Sequence, residues 1–175
     1  MSKSPSKKQS VLNEDHFRTF GAIIHLFAKY EALMTGIMAC VGKADRTFVS
    51  MLASELPYRG KRETTLAMIK SNSLPDEQQE RIAWFLGELH KHNQLRNAIA
   101  HSLWKRGIRP ATVRPLSMSV RGGKLDYRGL ADDEIDYTGD ELVDIANELI
   151  SNYDKFAEYL DSVGLMPKRS SDDGT

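Results

Sequence analysis

The chain has 175 residues, with 24 basic and 24 acidic side chains and a hydrophobic fraction of 41%. These values are typical of one globular domain, predicted over residues 11–166, and argue against wholesale disorder. The single cysteine, Cys40, excludes an internal disulfide and a multi-cysteine zinc site, and it fits a reducing cytoplasmic location. No run of about 18 apolar residues is present, so we expect no membrane span. The polar first ten residues lack the apolar stretch of a secretory signal.

Apolar residues recur at helical spacing through the first 104 residues of the chain. Residues 1–10 are rich in serine and lysine, so we expect a disordered tail there. Gly42 and Pro57 end the first two predicted helices, and Gly107 ends the fourth. The predicted helices cover residues 13–41, 44–56, 63–70 and 76–104.

The periodicity then changes from helical to extended. Two runs of strand-forming residues flank Gly122-Gly123 and predict a β-hairpin over about 111–128. Pro115 has no backbone N–H, so its strand is predicted to be an edge strand or to be interrupted at that residue.

A capping box formed by Thr138 and Glu141 predicts the start of a last helix, which runs to about residue 163. Residues 167–175 are predicted to be a second disordered tail. The predicted fold is therefore all-α: a bundle of about five helices with a small β-hairpin inserted before the last helix.

The net charge of zero hides an uneven distribution of charge along the chain. Residues 1–128 hold 21 basic and 11 acidic side chains, whereas residues 129–175 hold 3 and 13. The window 91–128 has nine basic residues against Asp126 alone. Such a basic block attracts a polyanion such as RNA. The alternative is that it pairs with the acidic C-terminal part of the protein itself, or with a partner.

Two charged residues interrupt predicted apolar helix faces. Arg96 follows Ile82, Phe85 and Leu89 on the fourth helix, and Glu31 interrupts the first helix. A buried charge is costly unless it is paired, so we expect Glu31 to lie inside the bundle near Arg96 or another donor. The alternatives are a purely structural ion pair, or an arginine that extends out to solvent.

A polar stripe lies beside this apolar face. His90, Gln94, Asn97 and His101 follow helical spacing and share one face of the predicted helix. Arg96 and His101 are five residues apart, which an ideal helix separates by about 140°. They converge on one ligand only through the length of Arg96, a loosened helix end, or a cleft shared with a second subunit.

The string Arg96-Asn-Ala-Ile-Ala-His101-Ser-Leu-Trp104 resembles the signature of the HEPN superfamily, the higher eukaryotes and prokaryotes nucleotide-binding domain. That signature is an arginine, a polar residue that is often asparagine, and a histidine near the end of a long helix. The predicted helical bundle is similar to the HEPN fold. The resemblance implies a metal-independent endoribonuclease that cleaves single-stranded RNA, often as a toxin or defence effector, and that acts as a homodimer.

The residue types suit this chemistry. His101 can remove the proton from a ribose 2′-OH or protonate the leaving oxygen, and Arg96 can stabilise charge on the phosphate. Asn97, Glu31 and Gln94 would support these two catalytic residues. Contacts to RNA are expected from four further residues, which are Trp104, Lys105, Arg106 and Arg109. For Trp104, ordinary packing beside the hairpin is the alternative. No metal or cofactor is expected.

A second hypothesis places the chain in another functional class. A HEPN-like domain can serve as a non-catalytic module that binds a nucleotide or a protein, such as an antitoxin. The acidic last helix would then offer a docking surface. The sequence shows no Walker loop and no dinucleotide-binding fingerprint. A digest of RNA by the wild type and a His101→Ala variant separates the two hypotheses.

Overall fold

The computed structural model describes residues 11–72, 74–121, 124–129 and 136–166. The predicted tails and the Gly122-Gly123 turn lie outside these residues. The fold is all-α with a hairpin before the last helix, as predicted. In chain order the elements are α1 (Glu14–Gly42), α2 (Arg46–Ser54), α3 (Tyr58–Ser71), α4 (Asp76–Lys91), α5 (Asn93–His101), β1 (Leu103–Arg106), β2 (Val113–Arg121), β3 (Lys124–Gly129) and α6 (Gly139–Ser162).

The predicted fourth helix is wrong in one respect, because it is two helices followed by a strand. The N–H of His92 donates to the carbonyl of Leu89 at 3.1 Å, which tightens the last turn of α4, and α5 starts at the next residue. This break changes the phase of the buried face. The apolar stripe therefore ends at Leu89, and Arg96, which was predicted to lie on the same face, is half-buried.

The sheet has three antiparallel strands in the order β1-β2-β3. β1 was not predicted from the sequence, and its first two residues, Leu103 and Trp104, fall within the predicted helix 76–104. β1 pairs with the first half of β2, from Val113 to Leu116, and β3 pairs with the second half, from Leu116 to Arg121. The capping box opens α6 as predicted, because the N–H of Glu141 donates to Thr138 Oγ1 and the N–H of Thr138 donates to the Glu141 carboxylate.

The pairing explains how the sheet accommodates Pro115. Gly107 donates its N–H to the Thr112 carbonyl, and bonded and non-bonded pairs alternate along an antiparallel ladder. Pro115 is therefore opposite Trp104 in a pair that forms no backbone hydrogen bonds. The nitrogen of Pro115 therefore points to the other side of β2. Within the described residues, β3 pairing begins only at Leu116. Pro115 thus lies where β2 is locally an edge strand.

The chain forms two compact units. The sheet unit contains the described residues of 11–24 and 94–147, with the start of α1, α5, the sheet and the start of α6. The helical unit contains those of 25–93 and 148–166. Its core joins aromatic rings, with centroid distances of 5.4 Å between Phe27 and Tyr58 and 4.8 Å between Phe85 and Phe156.

By length and composition, α1 could cross a membrane, with a mean hydropathy of 1.3 over its most apolar window. More than half of that window, 56%, is buried inside the protein. Core helices of soluble proteins pass the same test, so the absence of a membrane partner stays a prediction.

Glu31 is largely buried in the helical unit, as expected, and its partner there is Lys61. Lys61 Nζ lies 2.5 Å from Glu31 Oε2, and the two side chains are only 14% and 18% exposed. A charge-assisted hydrogen bond at this depth offsets the cost of removing both groups from water. The pair connects α1 to α3.

We expect Lys61→Met to lower the free energy of unfolding by about 1–3 kcal/mol, because it leaves Glu31 half-buried without this donor. Urea denaturation measures the change. Lys70→Met, at an exposed position of the same helix, is the control and should change stability by no more than about 0.5 kcal/mol. The double variant Glu31→Gln/Lys61→Met should recover part of the loss; equal losses in the single and double variants would contradict the pairing.

Candidate functional site

The helix α5 carries the Arg-Asn-x-x-x-His string. Its buried residues are Leu95 and Ala98, which hold the helix in the sheet unit. Gln94, Asn97 and His101 are all exposed, and their spacing of three and four places them on one face of α5. His90, predicted to continue this stripe, lies on α4 instead and stacks on Tyr58 with 6.1 Å between ring centroids.

Arg96 is half-buried between these two faces. Its Nη1 donates a hydrogen bond to Asn97 Oδ1 at 3.0 Å. Asn97 stands about 100° around the helix from Arg96, and His101 only about 40° beyond Asn97. The hydrogen bond therefore directs the guanidinium toward Asn97, whose position around the helix lies between those of Arg96 and His101. The angle of about 140° between Arg96 and His101 follows from the sequence. The hydrogen bond between Arg96 and Asn97 was not predicted.

His101 is the last residue of α5 and its side chain is exposed. The following residue, Ser102, donates its N–H to Ala98 at 2.9 Å, and β1 begins at Leu103. The imidazole thus stands at the point where the chain leaves the helix and enters the sheet.

The residues predicted to contact RNA fall into two groups. Lys105 and Arg106 on β1 are exposed. Trp104 is packed, with its ring centroid 4.6 Å from that of Phe20 and 6.4 Å from that of Tyr137. Trp104 therefore packs against other aromatic rings, which was the alternative to RNA binding for this residue. Its stacking on RNA stays a prediction.

Arg109 lies in an ion pair within the protein. Its guanidinium donates two hydrogen bonds of 2.9 Å to the Glu141 carboxylate and a third to the Asp136 carbonyl. The pKa of Glu141 is lowered to about 2. The largest cause is the hydrogen bond from Arg109, and the second is the hydrogen bond from the Thr138 N–H. The alternative that part of the basic block pairs with the acidic C-terminal segment is therefore confirmed at this residue.

Asp136 is a buried acidic residue of the sheet unit that was not singled out from the sequence. Its Oδ2 accepts hydrogen bonds from the N–H groups of Ile108 and Arg109 and from the Thr112 hydroxyl. Arg114 lies 3.4 Å from Oδ1, and the side chains of Arg114 and Asp136 are only 9% and 1% exposed. Burial opposes ionisation of Asp136, but the three hydrogen bonds and the charge of Arg114 outweigh this effect and hold its pKa below the ordinary value.

A cleft of about 460 Å³ lies beside this network, between the start of α1 and the β1–β2 loop. Its lining includes Val11, His16 and Arg106. Within the described ranges, no three His, Cys, Asp or Glu side chains come close enough together to hold a metal ion.

Comparisons of the chain with models of protein families, with curated proteins and with solved structures found no match. The candidate site therefore depends on the α5 string and its geometry.

We expect Gly107→Ala to destabilise the protein by about 1–3 kcal/mol, because an added Cβ would lie 2.6 Å from Asp136 Oδ2 and force the network apart. Gly21→Ala is the matched control: it adds a methyl group where nothing lies within 4 Å, at an exposed position of α1. That control should stabilise the protein by about 0.5–1 kcal/mol. Thermal unfolding compares the two, and a neutral Gly107→Ala would contradict the close packing.

The lowered pKa of Glu141 predicts an acid-sensitive contribution to stability. Because the folded value of about 2 lies below the ordinary 4.5, the contribution is present above pH 4.5 and is lost as the pH falls toward 2. Glu141→Gln should lower the Tm at pH 7 and flatten its decline below pH 4.5. Glu158→Gln, at an exposed site on α6, is the control. Parallel Tm–pH curves for the wild type and Glu141→Gln would refute this role of Glu141.

Proposed function

We propose that the chain is a HEPN-like endoribonuclease that cleaves single-stranded RNA without a metal ion. The observation that carries the proposal is the hydrogen bond from Arg96 to Asn97, which brings the guanidinium toward the exposed face of His101. The resemblance of the α5 string to the HEPN signature supplies the reaction class.

In the proposed reaction the 2′-oxygen attacks the adjacent phosphorus and the bond from phosphorus to the 5′-oxygen breaks. His101 takes the proton from the 2′-OH or gives a proton to the leaving 5′-oxygen. Arg96 stabilises the negative charge on the non-bridging oxygens, with Asn97 as a positioning residue. The products are a 2′,3′-cyclic phosphate and a 5′-hydroxyl. Lys105 and Arg106, both exposed, would bind the RNA backbone.

A homodimer belongs to the proposal. One helix offers one imidazole at this face, whereas the reaction needs both a base and an acid. A second copy of α5 facing the first would supply the other imidazole. The exposure of Asn97 and His101 leaves room for such a contact.

A non-catalytic protein-binding module is the second candidate. It is favoured by the internal pairing of Arg109 and Arg114, which removes two cations from the basic block. A cytoplasmic antitoxin or another protein would then be the partner. Digestion of RNA by the wild type and by His101→Ala decides between the two functions.

We expect the wild type to cleave a single-stranded RNA in EDTA and to leave 2′,3′-cyclic phosphate ends. His101→Ala and Arg96→Ala should each lower the rate by about 10²-fold or more, because each removes an acid–base or charge-stabilising group. His25→Ala, at an exposed histidine on α1, is the matched control and should cleave like the wild type. Thermal unfolding verifies that all variants fold. Intact RNA with wild-type protein, or full activity in His101→Ala, would reject the proposal.

A further inference from the structure

The outer edge of β1 presents backbone groups that are ready to pair with another strand. Gly107 donates its N–H to the Thr112 carbonyl at 2.8 Å. Bonded pairs alternate along an antiparallel ladder, so the backbone N–H and C=O groups of Leu103 and Lys105 point toward β2. The N–H and C=O of Trp104 and Arg106 therefore point away from β2.

These outward groups have no hydrogen-bond partner among the residues that the structure describes. They are two residues apart, which is the spacing at which a further strand forms its bonds. An unpaired strand edge is a template for the addition of a strand from another chain.

The side chains of β1 give this edge a chemical preference. Leu103 is 55% exposed, and Lys105 and Arg106 are exposed as well. In the described part of the chain, no carboxylate forms an ion pair with either cation, in contrast to Arg109. The edge is therefore positively charged, with one exposed apolar residue.

A second copy of β1 fits this edge poorly. In an antiparallel register that uses the outward groups of both residues, Trp104 of one copy would pair with Arg106 of the other. Lys105 would then lie directly opposite Lys105 of the second copy. Like charges directly opposite each other destabilise a strand pair, and edge lysines are a common device against self-association.

We propose that the edge of β1 binds an extended acidic segment of a partner protein as a fourth strand of the sheet. Leu103 and Lys105 share one face of β1, so the segment carries an apolar residue and an acidic residue two positions apart on that face. A second acidic residue, on the other face, pairs with Arg106. The N–H and C=O groups of Trp104 and Arg106 supply the strand hydrogen bonds.

A bound strand would lie beside the candidate site, because β1 begins two residues after His101. It would also neutralise the exposed cations that we assign to RNA binding. The docking itself does not depend on RNA cleavage, since binding is measured directly. Loss of ribonuclease activity in an assay would leave the strand proposal untouched, and the reverse also holds.

The probe is a synthetic, dye-labelled peptide of two Val-Thr-Glu-Glu repeats, with a Val-Thr-Lys-Lys peptide as its charge-reversed counterpart. Fluorescence anisotropy should show binding of the acidic peptide at least tenfold tighter than that of the basic one. Amide hydrogen exchange should slow at least tenfold at Trp104 and Arg106. The amides of Leu103 and Lys105, already bonded to β2, should change less.

Substitutions at Arg106 separate backbone pairing from charge attraction. Arg106→Pro removes the outward N–H without removing a bond to β2, whereas Arg106→Ala removes only the charge. We expect the proline variant to bind at least tenfold more weakly than the alanine variant. Lys70→Ala, at an exposed lysine on α3, should bind like the wild type. If the proline variant does not fold, Lys105→Glu provides the test and should also weaken binding at least tenfold.

Three results would overturn the proposal. The first is absence of binding, or equal binding of both peptides. The second is binding of the acidic peptide without slower exchange at Trp104 and Arg106, which would indicate charge attraction alone. The third is protection of the same two amides by a second copy of the chain or by single-stranded RNA instead of by the peptide.

Discussion

The buried carboxylate of Asp136 is the constraint on which the sheet unit depends. At only 3% exposure this residue must find its donors inside the protein. It finds them in the N–H groups of the β1–β2 loop, and the charge of Arg114 on β2 lies 3.4 Å from its other oxygen. One carboxylate thereby joins the loop after β1 to the segment that enters α6. The close approach of Gly107, where no Cβ fits, is a consequence of this network.

The same network divides the basic residues of the chain into structural and available charges. Arg109 and Arg114 neutralise acidic residues of the C-terminal segment. Lys105 and Arg106 remain exposed on β1. Ion pairs therefore connect the two halves of the sequence, and they engage Arg109 and Arg114 of the nine basic residues in 91–128. A ligand for this surface needs negative charge, whether as phosphate or as carboxylate.

The break between α4 and α5 decides the geometry of the candidate site. A continuous helix would have buried Arg96 in line with Leu89. Because α5 begins afresh at Asn93, Leu95 and Ala98 take the buried positions and Arg96 lies at their margin. From there its guanidinium reaches Asn97, close to the face of His101. One side-chain contact thus directs Arg96 toward the side of α5 on which His101 lies.

The helical class, the hairpin, the capping box of α6 and the burial of Glu31 could be predicted from the sequence, because spacing, turn residues and capping chemistry act over a few neighbouring residues. The sequence also singled out Arg96, Asn97 and His101. The end of α4 at Lys91, the strand Leu103–Arg106, and the ion pairs of Glu31 with Lys61 and of Arg114 with Asp136 became evident only in the folded chain. These features depend on residues distant along the chain, whose pairing local periodicity does not encode.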